Sequence, residues 1–199
     1  MMMRFHKSLL ACATAGLALA AVGAPARAYE IDLLTHQSMT QQAVDEKGRP
    51  LASPIPREEV AYQSNYATGS IIISTKERRL YYVLGNGRAV KYGVGVGRPG
   101  FEWSGIKSVA MKREWPEWTP PAQMLKRRPD LPRHMVGGPT NPLGARAMYI
   151  GGTLYRIHGS NEPETIGQAV SSGCIRMTNE DVMDLYDRVR VGSKVVVQR

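Results

Sequence analysis

"GSIIISTKERRLYYVLGNGRAVKYGVGV", residues 69–96, decides the fold class. Its runs "GSIIISTKE", "RRLYYVL" and "AVKYGVGV" are rich in β-branched and aromatic residues, which suit a pleated and half-buried surface. Between the second and third runs stands Asn86-Gly87, a pair that tolerates the positive φ angles of a two-residue hairpin turn. The stretch therefore predicts antiparallel strands at the start of a mainly β domain.

Downstream, the texture changes. Seven of the thirteen prolines fall between Pro116 and Pro142, together with Trp115 and Trp118. A run so rich in proline predicts neither a regular helix nor a central strand. It reads as a long irregular loop, either a lid over a site or a cap whose aromatic rings cover the core. "RAMYIGG" and "TLYRIHG" return to strand character. Asn161–Gln168 predicts a short helix entered through Pro163, with Glu162 and Glu164 suited to its first turn. In "TNEDVMDLYDRV", Thr178 is the N-cap, and Val182, Leu185, Tyr186 and Val189 share one face of an amphipathic helix. "GSKVVVQR" closes as a last strand.

Upstream, residues 29–67 are polar, with "EKGRPLASPIPREE" supplying prolines and mixed charge, and predict an extended arm before a domain spanning 68–199. Residues 1–28 carry Arg4 and Lys7, an apolar Ala-rich stretch and the small-x-small signature Ala26-Arg27-Ala28. That is the pattern of a secretory signal peptide cut after Ala28, and the apolar stretch falls short of the roughly 20 residues of a spanning helix. The expected location is the periplasm.

The chain of 199 residues is 43% hydrophobic and 22% charged, as expected for one domain with a real core. Its formal net charge is +9, and loss of the three basic residues in 1–28 leaves +6. A basic exported protein suits an anionic partner such as a membrane face or a cell wall. Nucleic acid is not expected as a partner, because the charges are scattered and no recognition motif is present.

Export of this kind would remove Cys12 and leave Cys174 alone in a compartment where disulfides form. A lone cysteine can be a packed small hydrophobe, half of an intermolecular bridge, or a nucleophile. Its neighbours are compatible with the last, and a histidine and a cysteine at this spacing also occur by chance. A thiol attacks acyl carbon as the thiolate, so it needs a base, and His158 ends the strand "YRIHG" sixteen residues earlier. Gly159 and Gly173 flank the pair, and glycines there would let a substrate backbone approach closely. The turn "SSGC" can aim successive backbone N–H groups at one point, as an oxyanion requires. Arg176 either favours a thiolate or holds a substrate carboxylate, or else is a surface ion-pair partner of Glu180 or Asp181. The remaining histidines outside the leader, His36 and His134, show no ligand spacing, so neither a metal nor any other cofactor is expected.

The string "HGS…SSGCIRM" resembles the signature of the YkuD-type L,D-transpeptidase family: His-Gly, a gap of this length, then Ser/Thr-x-Gly-Cys-Ile/Val-Arg/Asn. "MVGGPTNPLGARAMYIG" is similar to the segment that Gram-negative members carry before the histidine strand, and "WPEWTPP" agrees. The resemblance covers about Gly69–Gln198. It implies a mainly β, sandwich or barrel-like catalytic fold with a few short helices and the Pro/Trp-rich loop. It also implies Cys174 as nucleophile, His158 as general base, and the Gly159 carbonyl as the group orienting the imidazole. Backbone amides around Ser172, Gly173 and Cys174 would form the oxyanion hole, with Arg176 in the substrate site. The implied partners are peptidoglycan stem peptides, with a second stem, an outer-membrane protein amine or water as acceptor. Two positions depart from the commoner pattern: Ser172 stands where many members have histidine, and Ser160 where they have threonine. "GFEWSGIKSV" matches the family's Thr-Pro-x-Gly segment only loosely.

Overall fold

In the computed structural model, which describes residues 53–199, the Asn86-Gly87 turn joins two strands as expected, with φ of 52° and 69° at its two residues. In chain order the strands are β1 (Glu58–Ala61), β2 (Ile71–Ser74), β3 (Arg79–Gly85), β4 (Arg88–Gly93), β5 (Val96–Gly97), β6 (Gly105–Glu114), β7 (Arg146–Ile150), β8 (Arg156–His158), β9 (Ala169–Ser171), β10 (Ile175–Arg176) and β11 (Lys194–Gln198). The helices are α1 (Ala122–Arg127) and α2 (Asn179–Arg188). Nine strands form one sheet in the order β1-β4-β3-β2-β11-β6-β7-β8-β10, while β5 and β9 pair separately.

Within that sheet β2, β3 and β4 are antiparallel neighbours, as the opening stretch predicts. The chain's last strand, β11, then inserts beside β2 in parallel, with Val196 opposite Ile72. "IIIS" and "VVV" are unbroken apolar runs because both faces of these central strands are covered. Ile71, Ile73, Val195 and Val197 face the main core, and Ile72 and Val196 face a smaller cluster with Val83, Tyr62, Tyr66 and Tyr81. Tyr62 stacks on Tyr81 with ring centroids 4.4 Å apart. Part of the polar segment before residue 68 therefore belongs to the sheet: β1 extends it beside β4, and Tyr62 and Tyr66 roof its outer face. Residues 1–52, which hold the expected signal peptide and the first part of the expected arm, lie outside the described residues.

Strand β6 links the two halves of the sheet. Gly105–Ser108 pairs with β11, and after a register shift between Val109 and Met111 the strand continues on β7. Such a shift adds local twist and turns the strand, so β7, β8 and β10 close over the core from another side. Helix α2 covers that core with buried Val182 and Leu185, and Val189 is buried just beyond its end. Burying each such side chain is worth roughly 1.5–3 kcal/mol. Thr178 caps the helix as expected, its Oγ1 accepting the Asp181 N–H at 3.2 Å.

The proline-rich run is more ordered than its composition implies. It contains α1, entered directly after Pro120 and Pro121, which corrects the expectation that no helix forms there. Proline is tolerated at a helix start, where its missing N–H would have had no intrahelical partner. Trp118 and Met135 form a two-way backbone bridge, each N–H donating at 2.8 Å. Fully buried Asn141 ties the run together, its Nδ2 donating to the Pro116 and Val136 carbonyls and its Oδ1 accepting the Leu143 N–H. Trp118 is 9% exposed and Trp115 is 45% exposed, so only the first ring packs inside. The expected helix at Asn161–Gln168 is reduced to one 3-10 turn, Pro163–Thr165.

Candidate active site

Strands β8 and β10 lie side by side in parallel at the end of the sheet, with Ile157 opposite Ile175 and His158 opposite Arg176. The Met177 N–H donates to the His158 carbonyl at 2.9 Å. Ile157 and Ile175 are buried in the core. Since successive side chains alternate across a strand, His158 and Arg176 share the opposite face. One step back along β8 the same rule adds Arg156 to that face, and Cys174, which directly precedes β10, has Arg156 as the neighbour acting on its thiol. Cys174, sixteen residues after His158 in the chain, thus stands immediately before the strand that pairs with the histidine strand.

His158 is 4% exposed, and its Nδ1 lies 2.5 Å from the Gly159 carbonyl oxygen. A carbonyl only accepts, so Nδ1 carries the proton and Nε2 keeps a free lone pair. Burial, followed by the Arg176 guanidinium, pushes the imidazole down to about 3, while the Gly159 carbonyl pulls the other way. Cys174 is a part-buried free thiol. Burial pushes it above its ordinary value, against the opposing pull of Arg156 and, further down, Arg176. At neutral pH the resting pair is therefore a thiol beside a neutral imidazole able to accept its proton.

Both glycines are required by the protein's own packing. A Cβ on Gly173, where φ is 104°, would lie 2.3 Å from Tyr155 Cε1. That ring stacks on Trp103 at 5.0 Å, and Trp103 Nε1 donates to the Gly173 carbonyl at 2.8 Å. A Cβ on Gly159 would lie 2.4 Å from Asn179 Oδ1, which already accepts the Ala145 N–H at 2.8 Å.

The turn before the thiol is held by Ser171, whose Oγ accepts the Gly173 N–H at 3.1 Å and donates to the Cys174 carbonyl at 2.6 Å. With the Gly173 amide engaged, the amides of Ser172 and Cys174 are the donors left for an anion. Ser172 Oγ accepts from Arg98 at 3.1 Å, and Arg98 itself lies over the Phe101 ring. Ser160, 3% exposed, accepts the Glu162 N–H at 2.9 Å. Arg176 pairs with Glu162 at 2.8 Å, not with Glu180 or Asp181. Asp181 is drawn instead towards Arg57, 3.5 Å away. Sequence reading gave no role to Arg156, Trp103, Tyr155 or Ser171: the first three meet the turn only through contacts between segments apart in the chain, whereas Ser171 stands in the quoted turn itself, where a hydroxyl two residues before a glycine N–H was the available signal. Among the described residues, no three His, Cys, Asp or Glu side chains gather as a metal site would need.

Residues 68–197 match the L,D-transpeptidase catalytic domain, YkuD. The chain belongs to that family. The probable L,D-transpeptidase ErfK/SrfK of Escherichia coli K12 is 40% identical over 136 residues, which are 64% of this chain and 43% of that protein. The probable L,D-transpeptidase YbiS of the same strain is 39% identical over 134 residues, 63% of this chain and 43% of that protein. The match thus spans less than half the length of these curated relatives. The fold is also that of an L,D-transpeptidase from Mycobacterium smegmatis, with a TM-score of 0.55 and 18% identity over 67% of this chain and 59% of that one. L,D-transpeptidase family membership and the mainly β fold are thus shown. Among the described residues no helix is long and apolar enough to cross a membrane.

Proposed function

We propose that this chain is an exported peptidoglycan L,D-transpeptidase that works through a Cys174 thioester, released into the periplasm after cleavage of residues 1–28. The observation that carries the reading is the buried His158, its Nδ1 held 2.5 Å from the Gly159 carbonyl, on the strand that pairs with the one Cys174 directly precedes. That arrangement fixes the tautomer a general base needs.

In the first step Cys174 Sγ gives its proton to His158 Nε2 and attacks the carbonyl carbon of meso-diaminopimelate at position three of a tetrapeptide stem. The tetrahedral oxyanion is met by the amides of Ser172 and Cys174, and Arg176 serves the substrate site. The C–N bond to terminal D-alanine then breaks, and the imidazolium proton goes to the leaving amine. In the second step an acceptor amine attacks the thioester, its proton passes through His158, and the C–S bond breaks. A stem amine gives a 3–3 cross-link, and an outer-membrane protein amine gives a wall-anchored protein. Water would make the enzyme an L,D-carboxypeptidase. No metal or other cofactor enters this chemistry.

Incubating the leader-free protein with defined tetrapeptide muropeptides and weighing the products separates these outcomes. Dimers or amine-exchanged stems are expected; shortened stems alone would replace transfer by hydrolysis. The same assay reports the base. Because His158 stays neutral well below the ordinary histidine range, kcat/KM should remain level as pH falls through about 6.5, where an unperturbed imidazole would charge. An acid limb centred there would sink the assignment of a buried neutral base.

A further inference from the structure

Beside the proposed nucleophile stands a cation that no feature of the sequence singles out. Arg156 begins β8, two residues before His158 and on the same face. It precedes Ile157, the partner of Ile175, as Cys174 precedes Ile175, and both its backbone N–H and its guanidinium bear on the thiol. It is half-buried, and its Nε is fully buried without a hydrogen-bond partner. Among the described residues Arg156 meets no carboxylate, whereas Arg57, Arg88, Arg128, Arg146, Arg176 and Arg188 each do. Its other neighbour is the Tyr149 ring, 5.1 Å from the guanidinium carbon. A guanidinium whose Nε is cut off from water and that meets no carboxylate gains from an anion formed beside it during function.

Building on the Cys174 reading above, we propose that Arg156 is the counter-cation of the Cys174 thiolate, donating an N–H to sulfur as the thiol proton leaves. The other charged or titratable groups around the thiol are His158 on β8, the Tyr155 phenol packed against Gly173, Arg176 with its partner Glu162, and Arg98 on Ser172. His158 is neutral at rest and cannot hold an anion by charge. The Arg176 charge is already balanced by Glu162, and Arg98 is directed to the Ser171–Ser172 segment. Arg156 alone brings an unbalanced, permanent charge to the sulfur, and its pull on the thiol runs in the required direction.

The test is the pH dependence of Cys174 alkylation by iodoacetamide in the leader-free protein, with Cys174→Ala as the blank. In Arg156→Gln and Arg156→Met the alkylation profile should move to higher pH, slowing the reaction about tenfold below its midpoint, the effect of one unit in a thiol pKa. Arg156→Lys, which restores charge, should stay within about threefold of wild type. Met keeps the apolar stem over Tyr149, so it remains informative if Gln perturbs folding. Charge-free variants that follow the wild-type profile would overturn the proposal, as would a Lys variant that shifts as far as Gln. Failure of the functional reading has a separate signature: Cys174→Ala would then retain muropeptide turnover, whatever the alkylation profiles show.

Discussion

Cys174→Ala is expected to lower muropeptide turnover by about 10⁴-fold or more, the scale on which loss of a covalent nucleophile is felt in cysteine and serine enzymes. Nothing else in this site can replace it. His158 holds one nitrogen on Gly159 and is buried, and the remaining neighbours are guanidinium groups and a turn in which the Ser171 hydroxyl serves backbone atoms and the Ser172 hydroxyl accepts from Arg98. Folding should be almost unaffected, because a part-buried thiol contributes little packing and no disulfide is lost. Acid-quenched wild-type protein should carry the mass of a stem acyl group after mixing with tetrapeptide, and the alanine variant should carry none. Turnover by the alanine variant within tenfold of wild type would remove Cys174 from the mechanism. Cys174→Ser is the companion measurement. A serine hydroxyl is far harder to ionise than a thiol, so a neutral imidazole as weakly basic as His158 should activate it poorly.

What was legible in the sequence is what local physics determines. The Asn86-Gly87 hairpin, the Thr178-capped helix and the closing strand each rest on residues within one turn or one strand of each other, and each is present. The pairing of β8 with β10 is different. Sixteen residues separate His158 from Cys174, and no local rule says that the returning strand runs parallel and in a register that brings the two segments together. The short intervening strand β9, paired with β5, brings the chain back to that position. For the same reason Arg156 passes in the sequence as an ordinary strand-edge cation. The parallel insertion of β11 beside β2 was equally hidden, although "VVV" and "IIIS" do announce strands buried on both faces. The proline-rich run misled in one respect: proline density forbids a helix through those residues, but not a helix begun after them.

Gly173→Ala carries the second large effect, and its cause is geometric. Two costs coincide there. The residue sits at a φ of 104°, which an L side chain adopts only at a cost of roughly 1–3 kcal/mol. The added methyl would also lie 2.3 Å from a Tyr155 ring carbon. That ring cannot swing aside freely, because it stacks on Trp103, whose indole N–H is bonded to Gly173 itself. Relief therefore means moving the Gly173 peptide, and with it the Cys174 amide and sulfur. A total loss of about 3–5 kcal/mol is expected, combining the strain with the overpacking cost, or a fall in Tm of roughly 10 °C for a domain of this size. Gly192→Ala is the control, since φ is 92° there and nothing lies within 4 Å of the added carbon. It should show the backbone cost alone, about 1–2 kcal/mol, and leave turnover unchanged. If Gly173→Ala cost no more than Gly192→Ala in thermal unfolding and retained full turnover, the Tyr155–Trp103 buttress would have no part in setting the turn. If it lost turnover well beyond what its folded fraction explains, the same methyl would have displaced the Cys174 amide from the place where the oxyanion develops.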